Sequence, residues 1–489
     1  FAVLFRAAQY QNIDSEYKVD CQQLHPIEPL FGSISSRENR PYIRYQYFDT
    51  EQREKAQQIF QHAHIRFTKR TNAWVPFVIA SISHLLPGGR LAMVVPAELL
   101  YIDHAKGLRL WLEQEMERIH IIHLREIVFS KTLQGVVLLL AEKRSTRSVQ
   151  PLHTSPGKHQ ASFLHDEQAI EPINLHIYDV ENIDSLQQVQ LMNGSFSRLY
   201  TQWEGQWMKA LLSDKELSLL EHIWQHPKVR RFDEIADVDI GIVTGANKFF
   251  VVDDTTLHRY RLEQWATPML AKSDLIQGIS YRQSDHEFNA QSGKSVHFLQ
   301  FPTTLASGEM TDYIRLGELQ GLHTRYKCRI RDPWYVVPYV WVSEISLLKR
   351  AHHYPRLVLN QLGAHSTDTA YRIKLHPAYQ GQAKNMVASF LNSFTFLFAE
   401  LLGRHYGGGV LELVPSEIEQ LPVPLVHVCD EQFETIDQMI RSGISHHDLV
   451  NKTDALILQT GLGIDIADIE QLRCIHKKLM NRRLRKRTK

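Results

Sequence analysis

Residues 85–100 read LLPGGRLAMVVPAELL, and their alternation of turn and apolar residues decides the fold of the first part of the chain. Pro87–Gly88–Gly89 ends a helix predicted over Trp74–Leu86, where apolar residues recur at helical spacing. Arg90–Pro96 then reads as a buried strand that ends at a proline.

The residues that follow continue the same alternation of helices and strands. Asp103 is predicted to cap a helix that runs through Leu112, and Ile119–Leu124 reads as a further strand. A loop containing Phe129 precedes another apolar run at residues 135–140. This order predicts the second half of a doubly wound α/β domain with a late antiparallel strand.

A short polar and aromatic motif, Asn39–Arg40–Pro41–Tyr42, lies upstream of that half-domain. An amide and a backbone carbonyl there can accept hydrogen bonds from an exocyclic amine, and the tyrosine ring can stack on a base taken out of the duplex. A surface turn before a half-buried strand is the alternative interpretation of four such residues.

Beyond residues 146–200, a predicted linker, the chain holds a second unit that includes GIVTGANKFF at residues 241–250. Lys248 follows Gly245 by three positions, so the phosphate-loop spacing is not met and we exclude a nucleotide triphosphatase of that type. Polar, cationic and aromatic candidates for nucleic-acid contact in this unit are Asn247, Lys248, Arg329, Arg331, Trp334, Arg404 and Gly407–Gly409. Each has a structural alternative: pairing of the arginines with Asp332, Trp334 in the core, and the glycines in a turn.

Composition narrows the class of protein without deciding it. The 489 residues carry a net charge of +1, with four cysteines that lie far apart and 26 histidines that show no metal-ligand spacing. We therefore expect a reducing, cytoplasmic location, no metal site and, because no apolar run is long enough, no membrane span. The chain begins with Phe1, from which we expect its true start to lie upstream.

The motif at Asn39–Tyr42 resembles the (D/N/S)-P-P-(Y/F/W) motif of amino-methyltransferases, as found in TaqI-like adenine-N6 DNA methyltransferases and Type IIG restriction–modification proteins. Other landmarks follow in the family's order over roughly residues 39–425: LLPGGRLAMVVPAELL, EIVFSKTLQGVVLLL, GIVTGANKFF, CRIRDPWYVVP, PRLVLNQLGA and FAELLGRHYGGGVLELVPSEIEQLPVP. This sequence departs from the motif at Arg40, which replaces the first proline and puts a long charged side chain beside a tight pocket. The strand and glycine turn that bind the cofactor in the family, upstream of the motif, have no counterpart in residues 1–38.

The resemblance implies an α/β protein, the second half of a Rossmann-like class I methyltransferase domain followed by an α+β target-recognition domain. It implies domains at 1–145 and 201–428, with a helical C-terminus and basic tail at 429–489. The implied reaction transfers a methyl group from S-adenosylmethionine to a flipped adenine in double-stranded DNA, without a metal and in partnership with a cognate restriction endonuclease. The residues implied are Asn39, Arg40, Pro41 and Tyr42 for catalysis, Tyr42 and Phe129 for base stacking, and Thr244, Asn247, Lys248, Arg331, Trp334, Arg404 and Gly408 for DNA contact; residues that bind the cofactor are unknown.

Two further functions fit the same sequence. Arg40 and the missing cofactor-binding half favour a DNA-binding remnant without catalysis, and a fused upstream nuclease would make the chain the methylase and specificity part of a Type IIG enzyme. Phe129 fits a core position at a strand end equally well. The basic tail, Gln471–Lys489, closes with the most basic run of the chain at Asn481–Lys489, and it predicts either a phosphate-binding arm or a solubilising end.

Overall fold

The computed structural model describes residues 45–68, 71–124, 135–145, 174–180, 182, 184–188, 207–304, 308–406 and 408–484. Contacts divide the chain into two compact units. The first comprises residues 1–214, 406–408 and 485–489, and the second comprises residues 215–405 and 409–484.

The first unit contains a four-stranded sheet whose strand order is β1-β3-β2-β4. Its strands are β1 (Arg90–Pro96), β2 (Met116–Leu124), β3 (Val136–Lys143) and β4 (Asn174–Val180). Strand β3 lies between β1 and β2 and is antiparallel to both, with Leu138 opposite Val94 and Leu139 opposite Ile121. The predicted late antiparallel strand is therefore confirmed, and the chain is a mixed α/β protein as expected.

Three helices accompany this sheet: α1 (Thr50–His62), α2 (Trp74–Ser83) and α3 (Lys106–Glu115). Helix α2 is apolar on nearly every side and is almost fully buried, as its sequence predicts. It ends at Ser83 rather than Leu86. The predicted cap at Asp103 is wrong, because Asp103–Ala105 forms a separate 3-10 turn and Ala105 occupies the N-cap of α3.

The second unit is built on two mixed sheets of order β6-β15-β11-β13-β9 and β14-β8-β10-β7, with smaller pairings beside them. The remaining strands are β5 (Val229–Arg231), β6 (Ala236–Ile240), β7 (Val251–Val252), β8 (Ala266–Leu270), β9 (Ser280–Tyr281), β10 (His297–Leu299), β11 (Ile345–Leu348), β12 (Arg350–Ala351), β13 (Leu357–Asn360), β14 (His365–Ser366), β15 (Ala370–Leu375), β16 (Arg404–Tyr406), β17 (Val410–Glu412) and β18 (Pro422–Pro424). The helices are α4 (Asp214–Trp224), α5 (Phe232–Ile235), α6 (Asn247–Phe250), α7 (Asp254–Tyr260), α8 (Gln283–Gln291), α9 (Gly308–Leu319), α10 (Tyr326–Arg329), α11 (Ala383–Ser389), α12 (Ser393–Leu402), α13 (Pro415–Ile418), α14 (Asp430–Arg441), α15 (His446–Asp454) and α16 (Ile466–Leu484).

The C-terminal helices, predicted from the sequence as a separate segment, pack within the second unit. Asp437 of α14 is fully buried and accepts hydrogen bonds from the backbone N–H groups of Ile279 and Ser280, at 2.7 and 3.0 Å. Helix α16 packs against α12, every residue of which is buried. The helices at 430–484 are therefore structural parts of this unit.

One arginine of the predicted basic tail belongs to that packing. Arg483 lies in the last turn of α16, and its fully buried guanidinium pairs with Glu400 of α12, with Nη2 and Oε1 2.6 Å apart. The interpretation of the whole tail as an exposed arm is wrong for Arg483, because its guanidinium is buried and paired with the carboxylate of Glu400. Residues 485–489 lie outside the described residues.

Among the described residues, no single helix has the length and apolar character needed to cross a membrane. Helices α11 and α12 meet that test only as a pair, and they bend by 75° at their junction.

Buried histidines where α15 and α16 meet predict a loss of stability in mild acid. Burial lowers the pKa of His446 to about 4 and that of His476 to about 3, and the positive charge of Arg483 acts in the same direction on both. The two rings lie 5.4 Å apart between centroids. Because the unfolded chain binds these protons near pH 6.5 and the folded chain does not, stability is full above pH 6.5 and falls as the pH drops toward 4. Urea midpoints measured across this range are expected to fall steeply in the native chain and less steeply in His446→Gln. An exposed histidine away from this contact supplies the control, since His427→Gln is expected to leave the slope unchanged.

Candidate nucleic-acid interface

The segment at residues 241–247 connects β6 to α6 and is held close to the edge of the neighbouring sheet. A Cβ at Gly241 would lie 2.0 Å from the carbonyl oxygen of Thr367, so only glycine fits there. The next residue, Ile242, donates its N–H to the carbonyl of Ser366 at 2.7 Å. The glycine of the motif thus lets the loop start in contact with β14.

Thr244 organises this loop from the inside. Its side chain is fully buried, accepts a hydrogen bond from the N–H of Ala246 at 3.1 Å, and donates to the side-chain oxygen of Asn247. The hydroxyl is consequently occupied and inaccessible, so the structure places Thr244 behind the surface and orients Asn247 with it.

Arg331 joins this loop to the segment at residues 326–334. Its guanidinium donates to the carbonyls of Thr244 and Val243, both at 2.7 Å, and not to Asp332. Partial burial lowers the pKa of Arg331, and the guanidinium remains a cation. Gly245, with φ of +81°, completes the packing, because a Cβ there would lie 2.8 Å from the Cβ of Lys327. Arg331 is therefore a brace between two segments that are 87 residues apart in sequence.

Asn247 and Lys248 are exposed and line an open cleft of about 610 Å³. Arg259 from α7 and Arg325 from the turn before α10 line the same cleft, and both are exposed. None of the described residues that line the cleft is acidic. The cleft therefore concentrates three cations around one opening. Arg259 and Arg325 were missed from the sequence, since they belong to no recognisable motif.

Trp334 belongs to the core below this cleft rather than to an open stacking surface. Its ring packs on Phe249 at 5.4 Å between centroids, and its indole N–H donates to Glu318 at 3.1 Å. Phe249 in turn stacks on Tyr313 at 4.5 Å. These contacts agree with the alternative interpretation, in which Trp334 is a core residue, better than with base stacking.

Arg404 and Gly408 are not placed with this group. Arg404 begins β16, on a different sheet, and its Nε donates to Glu417 at 2.7 Å. Gly408 is exposed with φ of +85°, and no atom lies within 4 Å of a Cβ built there. Both remain predictions as DNA contacts.

The predicted catalytic residues Asn39, Arg40, Pro41 and Tyr42, and the predicted stacking residue Phe129, lie outside the described residues. The described chain begins just after the motif with a 3-10 turn at Tyr45–Tyr47. Within the described residues, no cluster of three or more His, Cys, Asp or Glu side chains has the arrangement of a metal site.

Comparison with known proteins identifies the family. The family described as "Type II methyltransferase M.Eco57I, C-terminal domain" matches residues 204–458, more than half of the chain. This chain belongs to that family. The loop at 241–247, the brace Arg331 and the cationic cleft all lie inside the region that matches the M.Eco57I C-terminal domain.

Individual proteins match this chain at low sequence identity. The Type II methyltransferase M.AccI of Acinetobacter calcoaceticus is 22% identical over 447 residues, which cover 86% of this chain and 75% of that protein. Among solved structures, the type IIG restriction endonuclease BpuSI gives a TM-score of 0.39 at 14% identity, covering 89% of this chain and 52% of that one. The Type IIL restriction–modification enzyme MmeI, solved in complex with DNA, gives 0.48 at 9% identity, with 92% and 54% covered. The chain thus spans about half the length of these two structures.

Proposed function

We propose that this chain carries the second half of the catalytic domain and the target-recognition domain of a site-specific adenine-N6 DNA methyltransferase from a restriction–modification system. The observation that carries the proposal is the family match over residues 204–458, which contains a braced loop beside an acid-free cationic cleft. A cognate restriction endonuclease and a cytoplasmic location belong to the same proposal.

DNA recognition is the part of this function that the described residues support. Lys248, Arg259 and Arg325 surround one opening, and cations so placed neutralise the phosphates of a duplex. The Nδ2 group of Asn247 is a hydrogen-bond donor, and its Oδ1, which accepts from Thr244, has a second lone pair. A side-chain amide with both functions can read adenine in the major groove. Because Thr244 and Arg331 fix the loop from behind, Asn247 would meet a base edge without first being ordered.

Methyl transfer would occur at the upstream motif. In the proposed reaction, S-adenosylmethionine would supply the methyl group and leave as S-adenosylhomocysteine, and the adenine amino group would release one proton to solvent. The Asn39 amide oxygen and the carbonyl of Arg40 would accept hydrogen bonds from that amino group. Those bonds keep the nitrogen lone pair available for in-line attack, while Tyr42 and Phe129 stack on the extruded base. No described residue is assigned to holding the methyl donor.

A second candidate is DNA recognition without methyl transfer, and Arg40 is the observation that favours it. A charged side chain in place of the first proline of the motif has to leave a pocket shaped for an uncharged base.

Transfer of a tritiated methyl group from S-adenosylmethionine to mixed-sequence plasmid DNA separates the two candidates. The native chain is compared with Arg40→Pro, with digestion of the product to identify the labelled base. Label on adenine supports the methyltransferase, and a large gain in Arg40→Pro locates a defect in the pocket. Absence of label from both proteins, with salt-sensitive DNA binding retained, would replace the first candidate by the second.

Lys248→Ala tests the cationic cleft directly. Removal of one phosphate contact is expected to reduce the steepness of log K against log salt by about 0.9 and to weaken binding to all sequences alike. Fluorescence anisotropy on duplexes at several salt concentrations measures both quantities. Lys272→Ala, which removes an exposed lysine outside the cleft lining, is the matched control and is expected to leave the slope unchanged.

A further inference from the structure

The short helix α10 (Tyr326–Arg329) turns one side toward the protein and the other toward solvent. Cys328 lies on the inner side, where it is fully buried and its Sγ is 3.1 Å from the position of a Cβ built at Gly245. Tyr326 and Ile330, the residue that ends the helix, each lie two positions from Cys328, which is about 200° around a helix axis. Both are therefore on the outer side, and they are 64% and 60% exposed.

Exposed cations flank this apolar pair. Arg325 and Arg329 are four positions apart, so their side chains form a row along one flank of the turn. Lys327 lies on the other flank, with its Nζ 5.7 Å from the centroid of the Tyr326 ring. In the described part of the chain, no carboxylate forms an ion pair with any of these three cations. Their charges are therefore available to a partner.

The wider segment is also positive. Residues 318–332 contain four cations, and their two carboxylates, Glu318 and Asp332, are the first and last residues of the segment. Glu318 accepts a hydrogen bond from the indole N–H of Trp334 at 3.1 Å. The neighbouring loop at residues 241–247 contains no acid. An apolar pair flanked by unpaired cations fits a polyanion that also offers flat apolar faces, and duplex DNA has that combination.

Contacts join this turn to the cationic cleft. Arg325, directly before Tyr326, lines the cleft together with Lys248. Arg331, at the other end of the turn, donates its two hydrogen bonds to carbonyls of the loop at residues 241–247. The apolar pair therefore borders the cleft, and its backbone is anchored to the loop that leads to Lys248.

We propose that Tyr326 and Ile330 form an apolar wedge that inserts at a base step of the bound duplex, while the flanking cations contact the phosphates on either side. Apolar side chains that enter a base step partly unstack it and bring more of the protein into contact with the DNA. The inference rests on the proposed function, because it requires that the chain bind DNA. The wedge itself is uncharged, so its contribution to affinity is independent of salt.

Anisotropy titrations over a range of salt compare Tyr326→Ala and Tyr326→Phe with the native chain, on a duplex that the native chain enriches from a random-sequence pool. Tyr326→Ala is expected to lose about tenfold in affinity with an unchanged salt slope, since it removes a stacking ring and no charge. Tyr326→Phe keeps the ring and is expected to bind as the native chain does. Phe288→Ala is the matched control with native affinity, because Phe288 is a 58% exposed ring on α8, outside the cationic segment.

Insertion has a readout that a superficial contact would not move. A fluorescent adenine analogue, placed at successive positions of the enriched duplex, emits more strongly when its stacking is broken. We expect the native chain and Tyr326→Phe to raise the emission at the position of the wedge, and Tyr326→Ala to abolish that rise. A signal from an extruded target adenine would persist in Tyr326→Ala, so the two events are distinguishable.

Native affinity in Tyr326→Ala, or a loss of affinity that leaves the rise in emission in place, would overturn the inference. A reduced salt slope in Lys248→Ala would show, with the same probe, that DNA binding itself is intact. No enrichment or binding of any duplex by the native chain would remove the inference together with the proposed function.

Discussion

Arg483→Met is expected to destabilise the second unit by about 3–5 kcal/mol, because it leaves a buried carboxylate without its counter-charge. Glu400 is 1% exposed, and burial raises the pKa of its carboxyl group while Arg483 opposes that rise. The guanidinium also donates to the carbonyls of His352 and Gly409, the former at 2.7 Å. One side chain therefore satisfies a carboxylate and two backbone groups at once.

Urea denaturation followed by circular dichroism measures this effect through the unfolding midpoint and slope. The exposed Lys477, on the same helix, provides the matched control, and Lys477→Met is expected to change stability by less than about 0.5 kcal/mol. The double variant Glu400→Met/Arg483→Met is expected to recover part of the loss, since it removes both charges. A loss below about 1 kcal/mol in Arg483→Met would show that water reaches the pair.

This ion pair also shows why the sequence misassigned part of the tail. Residues 481–489 look like a continuous basic arm, and composition cannot reveal that Glu400, 83 positions away, neutralises one of its charges. The helical C-terminus, by contrast, was expected from the family resemblance, and the structure shows a helix there at Ile466–Leu484.

The first unit was more predictable than the second, because local sequence signals mark its helices and strands. Strand β1 covers Arg90–Pro96 as predicted, because a glycine turn and a proline mark both of its ends. The neighbouring strands were placed within a few residues, since each is a short apolar run. The late antiparallel strand followed from the order of helices and strands. Its register depends on pairing between distant segments, and the sequence did not predict it.

The candidate site was predictable as a motif but not as a geometry. The sequence located the loop at 241–250 and the cationic segment near 328–334, yet it could not show that Arg331 reaches across to the loop. It likewise treated Thr244 as a contact residue, although a hydroxyl two positions before an N–H can bond inward. Arg259 became visible only because its side chain lines the cleft.

Arg331→Lys provides the second large effect, and it distinguishes a brace from a phosphate contact. A guanidinium can donate to the carbonyls of Val243 and Thr244 together, whereas a single ammonium on a flexible stem cannot reproduce that fork. If Arg331 acts mainly as a brace, the variant frees the loop that carries Asn247 and Lys248. Ordering it again on binding would cost about 2 kcal/mol, which is roughly thirtyfold in affinity.

A phosphate contact predicts the opposite result, because lysine carries the same charge and should bind phosphate almost as well. Anisotropy titrations of Arg331→Lys and of Arg329→Lys, its exposed neighbour, therefore answer the question without any change in net charge. We expect a large loss in the first variant with an unchanged salt slope, and native affinity in the second. Native affinity in both would mean that Arg331 meets the phosphates directly and that the loop holds its shape through Thr244 and Gly245 alone.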